Sequence, residues 1–235
     1  MANGGDGDGG EGKAAAPVVL ITGCSEGGIG YKYCRAFAAL GCRVVATDVP
    51  DRVPGLAGLD AADRLPLDVT SDASVAEAVS RVLRNHGCVD MLVNNAGIGC
   101  TGPLAELGGG EAVRCAMDVN LLGQLRLAAV HAATDALRLE LAPFRVHVVK
   151  VVPGAVRSGL GHANSVQLAG TGGDGVAPSR QELGMYREFA AAIEERARAS
   201  QGSGATEASA FARHVAARVM RSRPPREIVY GSMKL

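Results

Sequence analysis

The 235-residue sequence contains no tryptophan, and aromatic residues make up only 3% of it. Few flat faces are therefore present on which nucleic-acid bases could stack. An excess of charge is missing too: 24 Lys and Arg balance 24 Asp and Glu, for a net charge of zero. Without a long-range field to gather phosphate backbones or anionic lipid, no nucleic-acid partner is expected. The six cysteines, at 24, 34, 42, 88, 100 and 115, form neither a CxxC pair nor a Cys/His cluster. No metal site is expected from them, and they read as reduced thiols of a cytosolic protein. No apolar run reaches the length needed to span a bilayer, and no charged-then-apolar leader opens the chain, so the expected location is cytoplasmic.

What is abundant is glycine, 32 residues, within a composition that is 47% apolar. A core built from Val, Leu and Ala packed closely against backbone follows. Residues 1–16 mix Gly with acid and carry no periodic apolar face, so they read as a disordered tail. From Pro17 the pattern changes. VVLIT (18–22) is a buried-strand run, GCSEGGIG a Gly-rich turn, and a helical pattern continues to about Leu40. RVVATD (43–48) and LPLDVT (65–70) repeat the strand signal, the latter ending where Thr70, Ser71 and Asp72 can cap a helix that runs to about Asn85. VDMLVNNAG (89–97) is a fourth strand. Strands alternating with helices predict an α/β domain over 17–231 with a Rossmann-like, doubly wound parallel sheet, followed by a short tail at 232–235.

From Glu111 to Ala142 there is no proline and one glycine, Gly123. The periodicity predicts a single helix here, far longer than a usual crossover, so either two helices are fused or one overhangs the sheet. Gly123 is the expected bend. RVHVVKVV gives a strand at about 145–152, ended by Pro153 and Gly154. Residues 159–222 read as a mobile Gly/Ser-rich loop and two helices, at 181–199 and 205–222. REIVYG (226–231) is the last strand.

TGCSEGGIG (22–30) joins a strand to a helix, the setting in which glycines let backbone approach a pyrophosphate at a helix N-terminus. Asp48 ends the next strand, where a carboxylate accepts adenosine ribose hydroxyls and repels a 2′-phosphate. That favours NAD(H). With the Asp68-Val69 pair, the Asn94-Asn95-Ala96-Gly97 run, Asn120 in NLLG, and Pro153-Gly154, the sequence resembles the short-chain dehydrogenase/reductase family, and within it the 1-acyl-dihydroxyacetone-phosphate reductase-like members. The resemblance implies that Thr22, Gly23, Ser25, Gly28, Ile29 and Gly30 line the pyrophosphate and that Asp48 selects the ribose. Asp68 and Val69 would contact adenine, Asn95 and Gly97 would flank the nicotinamide ribose, and Val156 and Ser158 would approach the carboxamide. The subgroup implies NADP(H), against the charge of Asp48, and association with endoplasmic reticulum or lipid droplets.

The same family moves a proton with a tyrosine made acidic by a lysine in a YxxxK spacing, beside a serine that holds the substrate oxygen. Of Tyr31, Tyr33, Tyr186 and Tyr230, with Lys13, Lys32, Lys150 and Lys234, only Tyr230 and Lys234 stand in a YxxxK spacing, and they fall on the last strand and the tail after it, not at the start of a helix. The segment that would carry Ser, Tyr and Lys is absent at a joint around 128–131, leaving one βα unit missing and Asn120 as the retained catalytic residue. The strand at 145–152 is expected to move beside 89–95, into the slot left empty. Residues 159–222 correspond to the family's substrate lid; within them Tyr186 reads as a packed lid aromatic, while Lys150 reads as a mid-strand charge that needs a rim or a partner, and His131 and His147 as structural. The expected function is an NAD(P)(H)-dependent oxidoreductase acting on a keto group of a small carbonyl or acyl-lipid substrate, impaired in this chain. The alternatives are a non-catalytic dinucleotide-binding protein and a shortened product of an active enzyme. Excess apolar turns of the long helix call for cover from 181–222 or from a second copy.

Overall fold

The computed structural model describes residues 15–99, 111–127, 138–158, 185–192, 195 and 201–231. Residues 1–14 and 232–235 of the expected tails, the joint expected around 128–131 and most of 159–222 lie outside the described residues.

Strand β1 (Val18–Ile21) is the centre of the molecule, and all four of its residues are buried. Its continuous apolar sequence follows from having both faces covered. Val19 and Ile21 face one apolar cluster with Val44 and Ala46 of β2 (Arg43–Asp48), while Val18 and Leu20 face the other with Val45. Helix α1 (Ile29–Ala39) covers the first face with Cys34 and Phe37, and α2 (Asp72–His86) covers the second with Val82. Each such side chain contributes roughly 1.5–3 kcal/mol by leaving water. Strand β3 (Asp63–Pro66) flanks β2, and β4 (Met91–Val93) flanks β1, giving a parallel sheet of order β3-β2-β1-β4. Helices on both faces of a parallel sheet make the doubly wound Rossmann-like fold.

Ser71 caps α2 by accepting from the Ser74 amide at 3.3 Å, and Gly87 closes the helix in a left-handed conformation (φ 83°). The predicted strand at 65–70 sits earlier. Leu65 is the buried residue of β3, between exposed Arg64 and Pro66, and Leu67 onward already belongs to the turn into α2.

The long helix is confirmed in part. α3 (Glu111–Met117) passes into a π-helical turn (Asp118–Gly123) and then α4 (Gln124–Leu127), so the irregularity falls on the turn that ends at Gly123. Residues 138–141 are again helical, and continuity across 128–137 lies outside the described residues. Leu139, Phe144 and Val146 are exposed.

The expected placing of the strand after Pro143 is overturned. The strand is β5 (Lys150–Pro153), and among the described residues it pairs only with β8 (Glu227–Tyr230), in parallel, not with β4. Lys150 opens the strand rather than sitting in its middle, and its ammonium meets Glu227 on β8 at 2.8 Å. Arg138 donates to the carbonyls of Val148 and Arg226, tying the same two segments. Helix α5 (Ala208–Val219) packs Phe211, Ala212, Val215 and Ala216 in one cluster with Phe37 of α1 and Ile228 of β8. That buried packing fixes β8, and β5 stays with it. Met91 and Val93 of β4 and Val151 of β5 all pack against this cluster, so the layer persists although the two sheets are not joined by a ladder. A third small pairing joins β6 (Val156–Arg157) to β7 (Thr206–Glu207).

Candidate cofactor-binding site

Every expected site residue up to Gly97 lies at or beyond the carboxyl end of one of β1 to β4, so one edge of the sheet gathers them. The turn after β1 is close-packed. Gly23 has φ +69°, and a Cβ there would lie 2.8 Å from the Ala96 Cα; at Gly30 it would lie 2.2 Å from the Gly23 carbonyl oxygen. Only glycine fits either place. Helix α1 begins at Gly28 with no side-chain cap, so the amides of its first turn have no side-chain acceptor. An anion at that end is favoured by the open amides and by the helix dipole.

Asp48, 6% exposed, lies against this turn. One carboxylate oxygen accepts from both the amide and the hydroxyl of Ser25, each at 2.7 Å, and the other accepts from the Val49 amide at 2.9 Å. The second oxygen keeps lone-pair capacity for another donor.

Thr22 and Asn95 fasten the turn to β4. The Thr22 hydroxyl accepts from the amides of Asn95 and Ala96, each at 3.0 Å, and the Asn95 side-chain amide donates to the carbonyls of Thr22 and Gly23, each at 2.9 Å. Asn120, inside the π-helical turn, closes a second clasp: its Oδ1 accepts from the Ile98 amide and its Nδ2 donates to the Ile98 carbonyl, both at 2.8 Å. Gly97 lies between the two clasps. The part Ile98 plays was not visible in the sequence, because it is a backbone contact made by tertiary approach.

The remaining expected residues are placed differently. Asp68 turns its carboxylate onto the Thr70 amide and hydroxyl (2.9 and 2.8 Å), a local turn that leads into α2. Val69 packs with Leu67 and Ala78 in a small apolar cluster. Val156 belongs to the main core with Cys24, and the Ser158 amide donates to the Gln201 side chain at 3.3 Å. The structure brings Thr22, Gly23, Ser25, Gly28, Asp48 and Asn95 together through hydrogen bonds at the turn, with Gly30 packed closely on the Gly23 carbonyl. Asn120 is joined to it through the 95–98 segment.

The profile of the short chain dehydrogenase family matches residues 17–129. The chain belongs to the short-chain dehydrogenase/reductase family. It is 36% identical over 172 residues to a short-chain dehydrogenase/reductase of Pestalotiopsis microspora, covering 63% of this chain and 61% of that one. To the NADPH-dependent 1-acyldihydroxyacetone phosphate reductase of Schizosaccharomyces pombe it is 34% identical over 185 residues, 61% of each. The chain thus spans about 61% of the length of these curated relatives. A short-chain dehydrogenase structure from Streptomyces avermitilis superposes with TM-score 0.68 at 24% identity, covering 93% of this chain and 89% of that one, and shows the shared fold.

Against the family's proton relay, the tyrosines of this dehydrogenase-family chain are otherwise engaged. Tyr33 is buried between Phe37 and Phe211, with ring centroids at 6.3 and 6.1 Å, and burial pushes its phenol well above the usual range. Tyr230 stacks on His214 at 3.7 Å. Tyr31 carries the Lys32 ammonium over its ring at 5.4 Å, and Tyr186 packs on Phe189 at 6.4 Å. Among the described residues no group of three or more His, Cys, Asp or Glu is arranged to hold a metal ion. No helix there is long and apolar enough to cross a membrane.

Proposed function

We propose that this chain binds a nicotinamide dinucleotide on the turn after β1, prefers NAD(H), and performs its family's keto/alcohol oxidoreduction only slowly. The observation that carries the preference is the buried Asp48 carboxylate, held by Ser25 beside the glycine turn. The turn fits a pyrophosphate: its glycines leave no side chain in the way, and the first amides of α1 are uncapped. Gly23, Ser25, Gly28, Ile29 and Gly30 would hold that group, Asp48 the adenosine ribose, Asp68 and Val69 the adenine. Asn95 and Gly97 would lie beside the nicotinamide ribose, with Val156 and Ser158 toward the carboxamide. A 2′-phosphate would bring a second negative charge toward Asp48 at low effective dielectric, which repels it.

When bound, the dinucleotide supplies or accepts hydride. This chain's own part is to orient it and to exclude water; the proton that must accompany hydride transfer has no placed donor, since Tyr230, which stands four residues before Lys234, ends strand β8 and is stacked on His214. The S. pombe relative, an acyldihydroxyacetone phosphate reductase by name, points to a keto group on an acyl lipid as the substrate class and to NADPH as a rival cofactor. Calorimetric titration with NADH and NADPH decides between them. Tighter NADH is the expected result; equal or reversed affinity would remove the role given to Asp48, and no binding of either would remove the site.

A further inference from the structure

Three features stand outside the reading above: the unjoined edges of β4 and β5, the exposed apolar residues Leu139, Phe144 and Val146, and a pair of buried thiols behind the glycine turn. Only the thiols come with their own reactive partner. Cys24 follows Gly23 in the turn and Cys34 lies on α1, both fully buried. The Cys34 thiol donates to the Cys24 sulfur at 3.4 Å, and the Cys24 thiol donates to the Ile21 carbonyl at 3.2 Å. They are free thiols, already in contact.

We infer that Cys24 and Cys34 are an oxidative modification site, closing to a disulfide that draws the glycine turn against α1 and weakens dinucleotide binding. A disulfide needs the sulfurs at about 2.04 Å, so they must approach by about 1.4 Å from their present contact. α1 is anchored in the core by Phe37, so the turn is the part that yields. It has little slack. The Cys24 amide donates to Thr47 at 3.0 Å, and Ser25, the next residue, donates two bonds to Asp48. The Gly23 carbonyl is wedged against Gly30 and bonded by Asn95. Displacing Cys24 therefore shifts the amides and the Ser25–Asp48 contact on which the cofactor reading depends.

Burial pushes the Cys24 thiol well up, and its contact with Cys34 adds to this, so the closed turn resists oxidation. The exposed tip at Glu26 and Gly27 is where the turn can open to a small oxidant. With an azodicarboxamide such as diamide, the Cys24 thiol adds across the N=N bond. The Cys34 sulfur then attacks the Cys24 sulfur, forming S–S and releasing the hydrazine, which keeps both protons. The two sulfurs are oxidised by two electrons and the azo group is reduced. A dinucleotide on the turn holds it closed and slows the first step; this coupling rests on the cofactor reading above.

The test uses the purified chain treated with diamide, alkylated in denaturant, and digested with trypsin without reductant. Cleavage after Lys13, Lys32 and Arg35 leaves fragments 14–32 and 33–35, which only a Cys24–Cys34 disulfide can join. The expected result is the joined fragment, reversed by dithiothreitol, with NADH affinity weaker by about tenfold or more, the scale of one lost hydrogen bond to a charged group. In the Cys34→Ser variant the joined fragment must vanish and diamide must leave NADH affinity intact. The inference is overturned if the fragments stay separate at a dose that consumes the exposed Cys88 and Cys115, if the disulfide forms with NADH affinity unchanged, or if Cys34→Ser loses NADH under diamide all the same. A joined fragment in a chain that binds no NADH in either state upholds the thiol site and counts against the cofactor reading instead.

Discussion

Ser25 gives its backbone amide and its hydroxyl to the same oxygen of Asp48, both at 2.7 Å. A carboxylate at the end of one strand thereby orders the turn at the end of its neighbour before any ligand arrives. Two bonds to one charged oxygen stabilise the turn more than neutral ones would. Orientation is settled in advance, and the free energy of binding is not spent on it.

Asp48→Asn is expected to separate these two roles. The amide oxygen can still accept from Ser25, so the chain should remain folded with a modest loss of stability. Its neutral side chain no longer repels a 2′-phosphate. The ratio of NADPH to NADH dissociation constants should fall by about tenfold or more, corresponding to about 1.4 kcal/mol. Calorimetry with both cofactors reads the ratio, and a ratio unchanged from the parent chain would place selectivity elsewhere.

Asn120→Leu should loosen the exit of β4. It deletes both 2.8 Å bonds to Ile98 and leaves an amide and a carbonyl that must find water. The expected cost is about 1–3 kcal/mol in urea unfolding, with weaker NADH binding alongside. Gln124→Ala, which removes one 3.3 Å bond to the Ala96 carbonyl, is the milder comparison and should cost less. Equal effects from the two variants would mean that Asn120 is no clasp.

How much of this was legible in the sequence depended on which forces were local. β1 and β2 are legible because strands covered on both faces are largely apolar, and that run also places Asp48 at the end of β2. Ser71 marks the start of α2 by its own chemistry, while the helix runs to His86, one residue past the expected end, and closes at Gly87. β3 was misjudged: in an edge strand with one buried side chain, Leu65, the polar residues Asp63 and Arg64 hide the pattern. The Asn120–Ile98 clasp left no trace, since backbone partners have no sequence identity. Nor did the pairing of β5, because the choice between β4 and β8 is made by the packing of α5 on α1, contacts that β5's own sequence does not carry.

His214 sets an expected pH dependence. Burial holds its pKa below the ordinary value, and the positive charges of Arg218 and Arg221 push the same way. The Arg218 guanidinium, 2.9 Å from Nδ1, can only donate, so Nδ1 must keep its lone pair and the ring, stacked on Tyr230, is neutral. In the unfolded chain the ring takes a proton near pH 6.5, above where it does so when folded. Between those two values the unfolded state binds more protons, so stability is full above about pH 6.5 and declines as the pH falls below it. Thermal midpoints taken from pH 7.5 down to pH 5 should show this decline, and His214→Phe, which keeps a stacked ring, should flatten it. An identical slope in the variant would assign the dependence to other groups.

The purified chain should reduce keto substrates, an acyldihydroxyacetone phosphate included, orders of magnitude more slowly than a relative that keeps the catalytic Ser, Tyr and Lys. Hydride arriving at a carbonyl leaves alkoxide charge on oxygen, and a positioned acid that removes it is worth about 10²–10⁴-fold. Tyr33 is locked in the core, with a phenol raised further from use. Tyr230 is committed to its stack with His214. Lys150 is paired with Glu227 across the β5–β8 ladder. Asn120 spends both ends of its amide on Ile98 and positions backbone without reaching the proton problem. Tyr186 falls within the expected lid region, so the decisive comparison is steady-state oxidation of NADH and NADPH by the parent chain and by Tyr186→Phe. Equal, very slow rates are expected from both. Turnover of about one per second or faster, an ordinary enzymatic rate, would overturn the impaired reading, and its loss in Tyr186→Phe would name the substitute acid.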